Sequence, residues 1–219
     1  MFLLSQGDLG ADAEAALDDL IAAMADPDAG VRAETARAMG ALGRKAGKGV
    51  PALRLALRDG DPRARAEGAA ALGRVGPDPT IDAPELVKLL DDPHARFGAA
   101  CALAGMGGDV GAPAVPSLIL EVTSLFNPRA FEAQDALVQL GAAAVPELLK
   151  ALQADDQDVF KFAKVATVLG RIGPEAKAAV PFLGDSLRSK QSIIRLNAAR
   201  ALGGIRPDAK EALAKVEGS

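Results

Sequence analysis

The sequence predicts an all-α fold, a right-handed solenoid (superhelix) of about six stacked helical hairpins. Three observations predict it. First, a cassette of about 33 residues recurs along the chain, and its fullest copy reads VPALRLALRDGDPRARAEGAAALGRVG from Val50 to Gly76. An apolar residue, usually followed by glycine, sets the register at Met39, Leu72, Leu103, Leu137, Leu169 and Leu202, with successive spacings of 33, 31, 34, 32 and 33. Second, proline stands at the expected start of each unit's first helix, at Pro51, Pro84, Pro116, Pro146 and Pro181. A period of this length belongs to stacks of supersecondary units, in which each unit buries its apolar face only against its neighbours. Third, alanine supplies 47 of 219 residues, aromatic content is 3%, and Trp and Tyr are absent. Small side chains let helices approach closely, and no run of four or more residues alternates in the manner of a strand.

The unit at 50–76 explains itself residue by residue. Pro51 suits a first helical turn, where its missing N–H has no partner to lose. Val50, Leu53 and Leu57 recur at helical spacing, so one stripe faces a neighbour. Asp59-Gly60-Asp61-Pro62 stops that helix, because Gly relieves the helix end and Pro cannot continue it. Asp61 is placed to cap the second helix, which runs through Ala66, Ala69 and Leu72 and stops near Gly73 or Gly76. The same logic gives units over 11–43, 50–76, 83–107, 115–141, 145–173 and 180–205, with partial units at 1–10 and 207–219, in a single repeat domain spanning 1–219. Phe2, Leu3 and Leu4 leave three readings open at the N-terminal end: folding onto the first pair, a piece of a longer protein, or a weak self-association contact.

Charge is segmented. Residues 1–30 hold seven acids and no base; 31–74 hold ten bases and four acids; 75–160 hold four bases and thirteen acids; 161–219 hold eleven bases and five acids. Such blocks either orient a charged protein partner or are solvated helix faces. The pI of 5.1 argues against a nucleic-acid grip, which needs a dominant basic face. Cys101 is the only cysteine, which fits a reducing compartment. The start MFLLSQGDLG has neither the basic flank nor the apolar length of a signal peptide or membrane span, so a cytoplasmic location is expected by default.

Catalytic constellations are thin. His94 and Cys101 are seven residues apart on one predicted helix, about 10 Å at 1.5 Å per residue, too far for proton transfer. One His and one Cys cannot build a nitrogen/sulfur metal site. Glu132 and Asp135 share a helix face and read either as a carboxylate pair or, more simply, as a solvated face. Glycines recur with the repeat and end helices; no GxxxxGK[ST] occurs. No cofactor, metal or catalytic residue is expected.

The recurring Asp-Pro dipeptides at Asp26, Asp61 and Asp92, followed by Arg32, Arg65, Arg96 and, later, Arg195, then spaced alanines and Leu-Gly, resemble HEAT repeats. The likeness is nearest to the short bacterial, phycobilisome-lyase-type variety. It implies that these aspartates and arginines bond between neighbouring units, as a structural ladder. It also implies that second helices line a concave groove, where positions three and six from the arginine register face outward. Four of the seven phenylalanines fall between Phe126 and Phe162, where Ala130 and Phe162 replace the arginine. Two readings stay open: the phenylalanines fill space the arginines vacate, or they mark a groove patch. The groove candidates are Phe97, Cys101, Phe131, Glu132, Asp135, Lys164 and Thr167. The resemblance implies a non-catalytic scaffold for an unidentified protein partner. Its alternatives are a lyase- or chaperone-like subunit for a cofactor-bearing protein, or a nucleic-acid binder using Arg37, Arg44, Lys45, Lys48, Arg54, Arg58, Arg63 and Arg74. The diiron hydroxylases of this family carry His-Glu dipeptides, and none occurs here.

Overall fold

In the computed structural model, residues 16–154 and 158–205 are described; the expectations for 1–10 and 207–219 fall outside them. All regular structure among the described residues is helical, and the fold is an all-α solenoid. The chain divides into two compact units, 1–103 and 104–219.

The first unit contains α1 (residues 16–23), α2 (Ala29–Leu42), α3 (Val50–Ala56), α4 (Pro62–Val75), α5 (Pro79–Leu89) and the larger part of α6 (Arg96–Met106). Side-chain caps start its second helices. Asp28 accepts the Gly30 and Val31 N–H groups at the head of α2, and Asp61 those of Arg63 and Ala64 at the head of α4. One first helix departs from the expected start. α5 begins at Pro79, where Asp78 caps Thr80, and Pro84 lies inside the helix. The Gly76-Pro77-Asp78 turn supplies a capped start five residues early, so the proline marker is displaced inward.

The second unit contains α7 (Gly108–Gly111), α8 (Val115–Thr123), α9 (Ala130–Leu140), α10 (Val145–Ala154), α11 (Val159–Ile172), α12 (Val180–Ser186) and α13 (Ser192–Gly204). α8, α10 and α12 each begin one residue before a proline, as α3 does. Short 3-10 turns, such as Gly141–Ala144 and Gly173–Ala179, lead into α10 and α12. These turns have no clear sequence signal beyond their alanines and glycines.

In each unit the register residues sit in the core. Met39, Leu72, Leu103, Leu137, Leu169 and Leu202 are all buried. The glycine that follows the register residue has a steric reason. A Cβ on Gly40 would lie 2.9 Å from the Cα of Ala71, and one on Gly73 would lie 2.8 Å from the Cα of Ala102. The same meeting of glycine and alanine joins α11 to α13 at Gly170 and Ala201. The pairs α2–α4, α4–α6 and α11–α13 therefore touch backbone to backbone. Where Val138 takes the glycine's place, α9 and α11 pack less extensively than α2 with α4 or α11 with α13.

This packing reverses the usual ranking of two residues. Gly73→Ala gains helix propensity yet is expected to destabilise by about 1–3 kcal/mol, because the added methyl meets backbone. Gly105→Ala, in α6, has no atom within 4 Å of the place its new methyl would take. That variant is expected to be neutral or to stabilise by up to about 1 kcal/mol. Urea denaturation of the two variants checks the opposite signs.

Candidate functional site

Two arrangements stand out: the polar ladder that joins repeats, and the outward face of the second helices. The ladder is the more regular. Arg32, at the first turn of α2, donates two hydrogen bonds to Asp59 in the next repeat, each 2.7 Å. Arg65 repeats the arrangement with Asp92 at 2.7 Å. Each arginine also reaches back to the carbonyl six residues before it: Arg32 to Asp26, Arg65 to Asp59, Arg96 to Leu90 and Arg195 to Ser189, all 2.7–2.8 Å. One guanidinium thus ties its own turn and, in two repeats, the turn of its neighbour.

Asp61, placed in the ladder by its Asp-Pro dipeptide, does not serve there. Its carboxylate is occupied as the cap of α4, and Asp59, two residues earlier, takes the arginine. Asp26 likewise stays within its own unit: its carboxylate accepts the Asp28 N–H and its carbonyl accepts Arg32. Asp92 does both jobs, capping through His94 and Ala95 while receiving Arg65. The overlooked signal was spacing, since Asp26, Asp59 and Asp92 stand 33 residues apart. Arg96 and Arg195 have no carboxylate partner among the described residues; they clamp their own turns only.

A second cross-repeat pair went unread in the sequence. Arg54 of α3 donates to both oxygens of Asp82 on α5, at 2.6 and 3.2 Å, and the Asp78 N–H donates to Asp82 at 2.7 Å. Asp82 is 1% exposed, the one buried acid among the described residues. In the second unit, Glu175 accepts the Ala142 N–H at 2.9 Å, a latch 33 residues long.

The arginines hold their partner carboxyls down. The hydrogen bond from Arg32, against partial burial and with help from the Asp61 N–H, keeps the Asp59 carboxyl below the usual carboxylate range. Burial pushes Asp92 up, but the His94 N–H, Arg65 and the Ala95 N–H together outweigh it, and its carboxyl also lies low.

The expected groove residues lie on three helices, α6 in the first unit and α9 and α11 in the second. On α6, Phe97 and Cys101 are half-buried, and His94 is exposed in the preceding turn. On α9, Phe131 and Glu132 are exposed, and Asp135 pairs with Arg171 of α11 at 2.6 Å. On α11, Lys164 donates to the Ser124 carbonyl at 3.0 Å, and Thr167 donates to the Ala163 carbonyl at 2.7 Å. The structure separates the phenylalanines: Phe162 is buried where the arginine is lost, whereas Phe126, Phe131 and Phe160 stand in solvent. Phe126 also has φ +55, alone among described non-glycine residues. A left-handed backbone at such a residue costs on the order of 1–3 kcal/mol and concentrates at functional positions.

The basic residues of the first unit are largely engaged. Arg37 bonds Glu34, Arg54 bonds Asp82 and Arg58 bonds Glu85. Among the described residues, no group of three or more His, Cys, Asp or Glu is arranged to hold a metal ion, and no helix is long and apolar enough to cross a membrane.

Known proteins share this repeat construction. The family model for HEAT repeats matches residues 17–104 and 145–218. The chain belongs to the HEAT-repeat family. A crystal structure of an engineered protein, a structural-genomics target, is similar to this HEAT-repeat chain at 26% identity and a TM-score of 0.55, covering 88% of this chain and 97% of that one. Human deoxyhypusine hydroxylase in complex with glycerol aligns at 24% identity and a TM-score of 0.38, over 91% of this chain and 77% of its own. No curated protein matches. The HEAT model skips 105–144, the stretch that holds Phe126 and Phe131.

The ladder gives a pH signature. A carboxyl whose folded pKa lies below the unfolded value of about 3.9 stabilises the fold above that value, and the contribution is lost as pH falls through the folded pKa. The Asp59 and Asp92 contributions are therefore expected to stay constant between about pH 7 and pH 5 and to disappear below about pH 4. Asp59→Asn is expected to be less stable at neutral pH and to lose less stability on acidification. Urea midpoints measured across that range check it; parallel curves for the two proteins contradict it.

Proposed function

We propose that this HEAT-repeat chain is a non-catalytic protein-interaction scaffold that binds a partner protein along the outward face of its second helices. In the second unit the contact residues are Phe131, Glu132, Asp135, Lys164 and Thr167; in the first, Phe97 and Cys101 of α6. The observation that carries this reading is Phe131, a large aromatic 77% exposed on a regular helix, in the stretch where the repeat grammar lapses. Rules of the fold fail most often where function lies. Aromatic anchors dominate the energetics of protein interfaces, with a polar rim supplying register.

The mechanism is passive. Stacked helices present a preformed surface, so this side loses little conformational freedom on binding. Asp135 and Lys164 are already held, by Arg171 and by the Ser124 carbonyl. They shape the face without needing to reorganise.

The test is affinity capture from the native lysate with wild type, Phe131→Ala and Glu132→Lys. The expected outcome is a discrete protein retained by wild type and reduced about tenfold or more by Phe131→Ala. Identical captured proteins across all three would overturn the assignment of this face.

A further inference from the structure

The contact that joins repeats inside the chain has two halves, and each half also stands uncovered once. The first half is a stripe on one side of a second helix, made by residues four apart: seven before the register residue, three before it and one after it. It reads Arg32, Ala36, Gly40 on α2 and Arg65, Ala69, Gly73 on α4. On both helices it is covered. Ala36 and Ala69 are fully buried, and the two glycines meet Ala71 and Ala102 of the next second helix. On α13 the same stripe is Arg195, Ala199, Gly203, and all three are exposed. A Cβ on Gly203 would have no atom within 4 Å.

The receiving half is uncovered on α2. The alanine that meets each glycine stands just before the register residue, and the residue seven before that alanine points the same way, two turns back. On α4 these are Ala71 and Ala64, and on α13 Ala201 and Ile194, all buried. On α2 they are Ala38 and Val31. Ala38 is half-buried, Val31 is 40% exposed, and both line one shallow depression.

The polar ladder is open at the same two places. Asp59 accepts the Asp61 N–H together with Nε and Nη2 of Arg32. Asp26 accepts the Asp28 N–H in the same manner but has no arginine among the described residues. Arg195 spends Nη1 on the Ser189 and Lys190 carbonyls, as Arg32 does on those of Asp26 and Pro27. Its Nε and Nη2, the atoms that reach the next repeat's aspartate in Arg32, have no partner among the described residues. No acid on α13 would repel Asp26, and Arg200 adds a second exposed cation there. The other acids near the α2 face are engaged, Asp28 as the cap of α2 and Glu34 with Arg37.

We propose that this chain binds a second copy of itself head to tail, α13 of one copy stacking on α2 of the next, with Gly203 against Ala38 and Arg195 on Asp26. The uncovered halves match in sterics and in charge, residue for residue, as α2 matches α4. Any other occupant would have to reproduce an alanine and an aspartate at a spacing this chain already carries. The contact is heterologous, so each copy uses two different faces. Unlike the same contact within one chain, it must offset the loss of translational and rotational freedom, so it is weaker.

Sedimentation velocity on the full chain, from micromolar to millimolar concentration, tests this. The wild type is expected to sediment faster as concentration rises. Gly203→Leu fills open space on the α13 face, and Val31→Glu puts a charge on the α2 face; each is expected to stay monomeric. Mixed in equal amounts, the two are expected to form a dimer and nothing larger, because each supplies the face the other has lost. Ala199→Glu is a second block of the α13 face and is expected to behave as Gly203→Leu does. Asp26→Asn is expected to weaken assembly about tenfold, since a charge-assisted hydrogen bond is lost. At micromolar concentration Gly203→Leu is expected to melt at the wild-type temperature. Phe131→Ala is expected to assemble as the wild type does, which keeps this result separate from the scaffold reading. Several results would each overturn the proposal: a wild type that stays monomeric at millimolar concentration, a dimer formed by Gly203→Leu or Val31→Glu alone, or undiminished assembly of Asp26→Asn. So would early melting of the Gly203→Leu monomer, because the chain itself would then cover that face.

Discussion

Close approach of consecutive second helices is the constraint on which everything else here depends. Gly40 against Ala71 and Gly73 against Ala102 leave no room for even a methyl group. At that separation the register residues of adjacent repeats can share one buried row, and neither helix of a hairpin has to shield its apolar side alone. The abundance of alanine and glycine follows from the same requirement. The arginine ladder then becomes possible, because only tightly stacked turns bring a guanidinium within reach of both its own carbonyls and the next repeat's carboxylate.

The two structural devices divide the work. Apolar stacking supplies most of the favourable free energy, since burial scales with area and every repeat adds a similar increment. The polar ladder fixes the turns. Arg32 and Arg65 each satisfy backbone carbonyls that would otherwise lack partners at helix ends. Where Ala130 replaces the arginine, Asn127 reaches back to the Glu121 carbonyl instead and accepts the Arg129 N–H, a smaller substitute at a different register. That repeat keeps its turn but loses its reach, and it is there that Phe126 takes a strained backbone and stands in solvent.

Much of the fold was legible because repetition multiplies weak signals. One Asp-Gly-Asp-Pro turn is suggestive; six copies of its unit at nearly constant spacing fix the hairpin, the cap at Asp61 and the burial of every register residue. Three things were not legible. The Asp61 assignment failed because two aspartates two residues apart compete for two jobs, and sequence cannot say which carboxylate meets the arginine until the turn's direction is known. The early start of α5 escaped because Pro79 and Pro84 are both acceptable first-turn residues, and the choice is made by Asp78 and by burial of Asp82 against Arg54. The split among the phenylalanines escaped because Phe162, Phe131 and Phe160 are chemically alike; only the position of each on its helix decides whether it fills a vacated arginine site or faces water.

If nearest-neighbour stacking holds this chain together, damage to one interface must stay local. Native-state hydrogen exchange on Ala71→Leu, which forces a large side chain against Gly40, measures this directly. The account predicts faster exchange in α2 and α4, with protection in α11 and α13 unchanged. Uniform loss of protection along the whole chain would contradict it, because that is how a single closed core responds.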